Sequence, residues 1–169
     1  MDTKSILIVS SIRCGGTYLM KDLAKSYNCR TVFEPKELKV YNYPVVVKAN
    51  AAMHTVEDLA EYSKHFTYVI LLDRGNKEEQ IQSAAHMFST GSSNDKWTPS
   101  TVDKKMIEKA KIAITAHSEV LNKLSSKLNI KIKYYEDVYF NNKNLVDGID
   151  FFPDLTKKLR QEEVKKSIH

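Results

Sequence analysis

Near its amino terminus the sequence contains the stretch SSIRCGGTYL, whose residue types suit the binding of a phosphate-like anion. The stretch follows the apolar run Ile6–Val9 and combines an arginine, two adjacent glycines and small hydroxyl residues. Backbone N–H groups at a glycine turn that opens a helix bind anions, because they point outward and carry partial positive charge. The sequence therefore predicts a strand, an anion-binding loop and a helix in succession.

Two familiar uses of such a loop are disfavoured by its neighbouring residues. A nucleoside-triphosphate loop places a lysine directly after its last glycine, but Thr17 follows Gly16 here. A cysteine phosphatase needs an arginine six positions after its cysteine, and Met20 stands six positions after Cys14. We therefore expect neither an NTPase or ordinary kinase nor a cysteine phosphatase.

Charged residues stand at the carboxyl ends of four predicted strands. The strand-like runs are largely apolar or β-branched, as expected for parallel strands that are buried on both faces. Ligands of such sheets bind beyond the carboxyl ends of the strands, so we expect these charged side chains to line one site. They are Arg13, Glu34, Lys48 and Arg74, at the ends of runs Ser5–Ser10, Thr31–Phe33, Pro44–Lys48 and Phe66–Asp73, and a fifth run covers Ile130–Tyr135.

Helical patterns lie between these runs and complete an alternation of strand and helix. The longest carries apolar residues at helical spacing from Met106 to Leu128, with His117 on the same stripe. This alternation predicts one three-layer α/β/α domain over residues 1–169, with a central, mostly parallel sheet of about five strands. The predicted helices are Thr17–Tyr27, one capped by Thr55 with Asp58, Asn76–Phe88, one opened by Ser100 with Asp103, and one after Pro153.

The composition of the chain narrows the class of protein further. Its 169 residues, 42% hydrophobic and 28% charged, fit one globular domain. We find no apolar run of ~20 residues and no basic leader with a cleavage site, so we expect a cytoplasmic protein without a membrane span or signal peptide. The net charge of +5 is spread along the chain, which indicates a solvated surface or an anionic cofactor rather than nucleic acid. With only two cysteines, we expect no disulfide framework. The spacing of the Cys, His and Asp residues matches no metal-binding pattern, so we expect no metal site.

The loop at residues 13–19 resembles the 5′-phosphosulfate loop of sulfotransferases that use 3′-phosphoadenosine 5′-phosphosulfate (PAPS). That loop usually reads Pro-[Lys/Arg]-Ser-Gly-[Ser/Thr]-[Ser/Thr], followed by an aromatic residue or leucine and then leucine. Ile12, Cys14 and Gly16 depart from this pattern and remove two hydroxyl donors, while the backbone donors remain. The resemblance implies contacts to the donor nucleotide from Arg13, Cys14, Gly15, Gly16, Thr17 and Tyr18.

Two later stretches extend the resemblance to about residue 140. Residues 68–91, YVILLDRGNKEEQIQSAAHMFSTG, resemble the family's 3′-phosphate segment, which implies that Arg74 and Ser83 bind that phosphate. Their spacing of nine is one longer than the commonest form and resembles a variant with glutamine three residues before the serine, here Gln80. Residues 133–140, KYYEDVYF, resemble a late strand whose Glu-Asp pair is structural, so we do not expect Glu136 to be catalytic.

One element of the family's cytosolic branch is missing from the sequence. That branch grips the nucleotide with a C-terminal Arg-Lys-Gly segment, which this chain lacks. The segment Ser89–Ser100, which we predict to be a mobile loop, contains Trp97 and offers another cover for the adenine.

The resemblance also implies a fold and a reaction. The fold is the P-loop-like sulfotransferase fold, and the reaction is an in-line transfer of the sulfuryl group to an acceptor hydroxyl of a glycan, a peptide tyrosine or a lipid. Adenosine 3′,5′-bisphosphate is the product, and no metal takes part. Arg13 would neutralise the 5′-phosphate, and Lys48 would face the sulfonate.

The general base of this reaction has two candidates. The cytosolic branch uses a histidine in a Lys-Thr-His stretch, which here reads Lys48-Ala49-Asn50. Tyrosylprotein and some bacterial glycolipid sulfotransferases use a glutamate after the second strand, and Glu34 lies 21 residues after Arg13, close to that branch's spacing. We therefore expect Glu34 to be the base, with His54 as the alternative. The competing prediction is a protein of this fold that binds a nucleotide or another anionic ligand without turnover.

Overall fold

The structure is a computed structural model that describes residues 4–91 and 102–139. Within these ranges the predicted alternation of strands and helices is confirmed, and none of the helices there is long and apolar enough to cross a membrane. Ser100, Trp97 and the helix predicted after Pro153 lie outside the described residues. The elements are β1 (Ser5–Ser10), α1 (Gly16–Tyr27), β2 (Arg30–Phe33), β3 (Val45–Asn50), α2 (Val56–Ser63), β4 (Tyr68–Asp73), α3 (Lys77–Thr90), α4 (Lys104–Leu128), β5 (Ile132–Tyr134) and α5 (Tyr135–Tyr139).

The five strands form one parallel sheet in the order β2-β3-β1-β4-β5. The central strand β1 pairs with β3 on one side and with β4 on the other. Ser10, the last residue of β1, is level with Asn50 of β3 and Leu72 of β4. The carboxyl ends of these three strands therefore meet at one edge of the sheet, where the charged residues were predicted to gather.

Helices cover both faces of the sheet, consistent with the predicted three layers. Successive residues of a strand point to opposite faces, so Ile6 and Ile8 of β1 pack with α1 and α5, whereas Leu7 and Val9 pack with α2 and α4. All four side chains are buried. Each such side chain contributes about 1.5–3 kcal/mol when fully buried, so the two cores hold the strand ends in fixed positions.

The last strand is shorter than the sequence predicted. The predicted run covered Ile130–Tyr135, whereas β5 covers Ile132–Tyr134, and the next five residues form helix α5. The apolar residues of this segment recur at helical spacing, and Tyr135, Val138 and Tyr139 are all buried in the core on the α1 side. A helix buries all three, whereas a strand would turn neighbouring residues to opposite faces.

The helix starts show which side chains act as caps. Thr55 accepts a hydrogen bond from the Asp58 backbone N–H at 3.1 Å, as predicted. The cap of α4 is Asp103, which accepts from the Met106 N–H at 2.9 Å, rather than Ser100. Helix α3 continues through Thr90, so the start of the segment predicted as a mobile loop is helical, and residues 92–100 lie outside the described ranges.

Candidate functional site

The crevice between β1 and β4 is where this topology favours a ligand. From β1 the chain runs through α1 toward the β2 side of the sheet, and from β4 it runs through α3 and α4 toward β5. Adjacent parallel strands whose connections diverge leave an open crevice beyond their carboxyl ends. Arg13 follows β1 and Arg74 follows β4, so both predicted arginines lie at this crevice.

The loop between β1 and α1 presents backbone donors at the start of a helix. Gly15 is the N-cap of α1, with a φ of 78°, and it has no side chain that could accept from the first helical N–H groups. The first N–H groups of any helix lack acceptors within it, and together with the helix dipole they attract an anion. By contrast, Thr55, Asn76 and Asp103 supply side-chain caps to α2, α3 and α4.

Lys48 and Glu34 form an ion pair at the base of this loop. The Lys48 Nζ lies 2.7 Å from Glu34 Oε1, and their side chains are 8% and 25% exposed. A Cβ added to Gly16 would lie 2.9 Å from Lys48 Cε, so the lysine packs directly against the first residue of α1. An ammonium carries three donors, so Lys48 can hold the Glu34 carboxylate and still donate to an anion at the loop.

Backbone conformation sets Arg13 and Glu34 apart from the other described residues. Four non-glycine residues within 4–91 and 102–139 have a positive φ, and Asn28 and Asn129 among them are ordinary helix C-caps. The other two are Arg13, at 53°, and Glu34, at 43°. Side chains other than Asn and Asp rarely adopt this region, and such residues concentrate at functional sites.

Arg13, Ser83 and Arg74 are joined by hydrogen bonds across the crevice. The Nε of Arg13 donates to the Ser83 hydroxyl at 2.8 Å, and an Nη of Arg74 donates to the Arg13 carbonyl oxygen at 3.3 Å. The structure thus gathers three residues that lie on β1–α1, on α3 and after β4. All three were predicted to contact the donor nucleotide.

Two carboxylates that the sequence analysis did not assign to the site surround Arg74. The guanidinium is buried and donates from Nη2 to Glu79 Oε2 at 2.9 Å. Its Nε lies 3.8 Å from Glu136 Oε1, and its Cζ lies 4.6 Å from the centre of the Tyr135 ring. The sequence offered one signal for Glu79, since Asn76-x-x-Glu79 has the form of a capping box. The contact of Glu136 spans 62 residues of sequence and had no local signal.

Two residues outside the β1–α1 loop fix its shape. Gln80, which is fully buried, donates from Nε2 to the Ser11 hydroxyl at 3.0 Å and to the Ile12 carbonyl at 2.7 Å. The Tyr139 hydroxyl donates to the Gly15 carbonyl at 2.9 Å. The loop is therefore held in place before any ligand arrives. In the sequence, Gln80 only matched a position of the family's variant spacing. Its hydrogen bonds to the β1–α1 loop are visible only in the folded structure.

The chain was also compared with known proteins. No family model, curated protein or solved structure matches it. Its function must therefore be inferred from the side chains and backbone groups of the site itself.

The thiol of Cys14 points into the protein rather than into the crevice. It is buried and donates to the Ser11 carbonyl at 2.9 Å. Burial raises its pKa to about 11, so it remains a neutral thiol near pH 7 and is a poor nucleophile. This geometry agrees with the absence of a cysteine-phosphatase pattern. It also means that, of the Cys14 side chain and backbone, only the backbone could make the predicted contact to a nucleotide.

The two histidines considered in the sequence occupy different positions. His54 Nε2 lies 2.9 Å from the Pro35 carbonyl, and since a carbonyl only accepts, this nitrogen donates and the ring is tied to the residue after Glu34. His117 is buried on α4, where burial lowers its pKa. This buried position agrees with its place on the apolar stripe of α4.

Over residues 4–91 and 102–139, no group of three or more His, Cys, Asp or Glu side chains is arranged to hold a metal ion. A surface concavity lies away from the residues named above, on the solvent side of α4, and it is lined by Lys104, Lys105, Glu108, Lys109 and Ile112.

Proposed function

We propose that this protein is a PAPS-dependent sulfotransferase with the P-loop-like sulfotransferase fold. The observation that carries the proposal is the Lys48–Glu34 ion pair, 2.7 Å long, packed against Gly16 at the start of α1. A cation, a carboxylate and the start of a helix therefore meet at one point. These are the groups that a sulfuryl transfer to a hydroxyl requires: a cradle for the donor, a charge for the leaving phosphate and a base for the acceptor.

The 5′ side of the donor would bind at the β1–α1 loop. The backbone at the start of α1 would hold the phosphosulfate, and the Lys48 ammonium would approach it from the adjacent strand. Arg13 lies on the other side of the loop. Hydrogen bonds from charged donors to phosphate are shorter and about twice as strong as neutral ones, so these cations would supply much of the affinity.

The reaction then follows from the positions of Glu34 and Lys48. Glu34 takes the proton of the acceptor hydroxyl as its oxygen attacks the sulfur atom. The bond between that sulfur and the bridging oxygen of the 5′-phosphate breaks, and adenosine 3′,5′-bisphosphate leaves with the electron pair. Lys48 and the loop N–H groups stabilise the negative charge that develops on the leaving phosphate. The products are a sulfate ester, the bisphosphate and a proton on Glu34.

A second candidate is a protein that binds a nucleotide without turning it over. The surroundings of Arg74 favour it, because Glu79 at 2.9 Å and Glu136 at 3.8 Å already neutralise the guanidinium that should hold the 3′-phosphate. Such a protein would use the β1–α1 loop alone. It would bind nucleotides with little regard for a 3′-phosphate and would not consume PAPS.

Calorimetric titration with adenosine 3′,5′-bisphosphate and with ADP tests the proposal. A sulfotransferase binds the bisphosphate more tightly, because ADP lacks the 3′-phosphate. Equal affinity for both, or no binding of either, would contradict the proposed function. Release of bisphosphate from PAPS in the presence of hydroxyl acceptors then separates the enzyme from the protein that only binds.

A further inference from the structure

The turn that connects β4 to α3 holds a carboxylate of this chain as a bound anion. The Gly75 N–H donates to Glu136 Oε2 at 2.8 Å, and the Asn76 N–H donates to Glu136 Oε1 at 2.9 Å. The Nε of Arg74 lies 3.8 Å from the same Oε1. We call these three donors, Arg74 Nε, Gly75 N and Asn76 N, the α3 cradle.

The α3 cradle has one donor more than the carboxylate satisfies. A distance of 3.8 Å is too long for a hydrogen bond, and the buried Nε of Arg74 has no hydrogen-bond partner among the described residues. The side chain of Arg74 is only 9% exposed, so water reaches this group poorly. In this position the flat Glu136 carboxylate meets the two backbone N–H groups and does not reach Arg74 Nε. A phosphate monoester carries three terminal oxygens in a tetrahedral arrangement, so it can turn a separate oxygen toward each of the three donors.

We propose that the α3 cradle is a phosphate-monoester site that Glu136 occupies in the free protein, and that a bound phosphate displaces the Glu136 carboxylate. The inference rests on the proposed function for the identity of the ligand, which is the 3′-phosphate of the donor nucleotide. The cradle itself rests on the geometry of Glu136. Consecutive backbone N–H groups in the turn just before a 14-residue helix, beside an arginine, are donors of the kind that bind phosphate.

The charges around Arg74 favour replacement of one carboxylate by the phosphate over binding of the phosphate beside both carboxylates. One guanidinium already faces two carboxylates, Glu79 at 2.9 Å and Glu136 at 3.8 Å. A phosphate added to this group would bring further negative charge against both. Glu79 is buried against Nη2 and belongs to α3, whereas Glu136 is partly exposed and belongs to the short helix α5. Glu136 is therefore the carboxylate that leaves.

Displacement of Glu136 would also be transmitted to the β1–α1 loop. Tyr139, three residues further along α5, donates to the Gly15 carbonyl at 2.9 Å. A Cβ on Gly15 would lie 2.8 Å from the Tyr139 ring and 3.0 Å from the Tyr135 ring, so α5 packs closely on the loop. One short helix thus contacts both anion sites, and occupation of the cradle is linked to the position of the loop.

The test compares Glu136→Gln with the wild-type protein in titrations with adenosine 3′,5′-bisphosphate and with AMP. Removing the competing charge frees the cradle, so the variant should bind the bisphosphate about 10- to 100-fold more tightly. Its affinity for AMP, which has no 3′-phosphate, should not change. Glu119→Gln removes the same charge from an exposed position on α4 and serves as the control, with wild-type affinities for both ligands.

The amide resonances of Gly75 and Asn76 separate failure of this inference from failure of the proposed function. If the wild type prefers the bisphosphate and Glu136→Gln binds it no more tightly, the displacement is overturned and the function survives. If neither protein prefers the bisphosphate over AMP, the proposed function falls, and inorganic phosphate becomes the probe. Phosphate that shifts both resonances more strongly in Glu136→Gln than in the wild type supports the cradle, and unmoved resonances overturn it.

Discussion

The ammonium of Lys48 lies 2.7 Å from the carboxylate of Glu34, although 14 residues separate the two in sequence. The parallel pairing of β2 with β3 places Phe33 opposite Lys48, and the Glu34 N–H donates to the Lys48 carbonyl at 2.8 Å. Glu34 is thus the first residue beyond β2, and its positive φ turns the chain there. The lysine is in turn packed against Gly16, so the pair contacts the loop between β1 and α1 as well as the strands.

Replacement of Glu34 by glutamine should abolish transfer and preserve nucleotide binding. The amide cannot accept the acceptor's proton, so the rate of bisphosphate release from PAPS should fall by about 10²- to 10⁴-fold. The affinity for adenosine 3′,5′-bisphosphate should stay the same or rise, since Lys48 loses its competing carboxylate. Glu37→Gln, at an exposed residue paired with Lys39, is the matched control. Full transfer by Glu34→Gln would remove Glu34 from the role of base.

Arg13 and Ser83 should act as one unit in nucleotide binding. Because Arg13 Nε donates to the Ser83 hydroxyl at 2.8 Å, removing either residue disturbs the other. We expect Arg13→Ala to weaken bisphosphate binding by about 10- to 100-fold, as for loss of a charged hydrogen bond. Ser83→Ala should have a smaller effect, and the double variant should resemble Arg13→Ala. Additive effects in calorimetry would show instead that each residue contacts the ligand independently.

Gly15→Ala should destabilise the protein more than Gly91→Ala. Both glycines have positive φ, 78° and 65°, so both substitutions introduce backbone strain of about 1–2 kcal/mol. Among the described residues, a Cβ at Gly91 meets nothing within 4 Å, whereas at Gly15 it would lie 2.8 Å from the Tyr139 ring. The overpacking should add about 1–3 kcal/mol to the loss of unfolding free energy. Equal losses in urea denaturation would mean that α5 does not rest on the loop.

The stability of the protein should decrease in mild acid, partly because of His117. Burial lowers the pKa of His117 below its usual value of 6.5. At a pH between the lowered pKa of the folded protein and 6.5, His117 binds a proton in the unfolded chain but not in the folded protein. Stability therefore falls as the pH falls below 6.5. Each bound proton changes the unfolding free energy by about 1.4 kcal/mol per pH unit. His117→Leu should lose less stability than the wild type between pH 7.5 and 5.5 in urea denaturation. Parallel losses would exclude His117 as a source of the acid sensitivity.

The sequence alone predicted the five strands and the helices α1 to α4, although β3 runs two residues past Lys48, which was predicted to end it. Continuous apolar runs predicted the five strands because parallel strands are buried on both faces, and the paired glycines after β1 predicted a loop with free backbone donors. These signals are local, since they depend on residues within one turn or one strand. The sequence predicted a strand through Tyr135 and no helix after it, because a segment as short as α5 carries too few residues to distinguish a helical period from alternation.

The tertiary structure decided which residues meet. The order β2-β3-β1-β4-β5 brings Glu34 to Lys48 and places Arg13 beside Ser83. It also gives Arg74 the partners Glu79 and Glu136, of which Glu136 is 62 residues away in sequence. Local periodicity records which face of an element is buried, but it contains no information about which elements become neighbours. That choice is made when the whole core packs, because only then do the strand ends and their charges share one edge of the sheet.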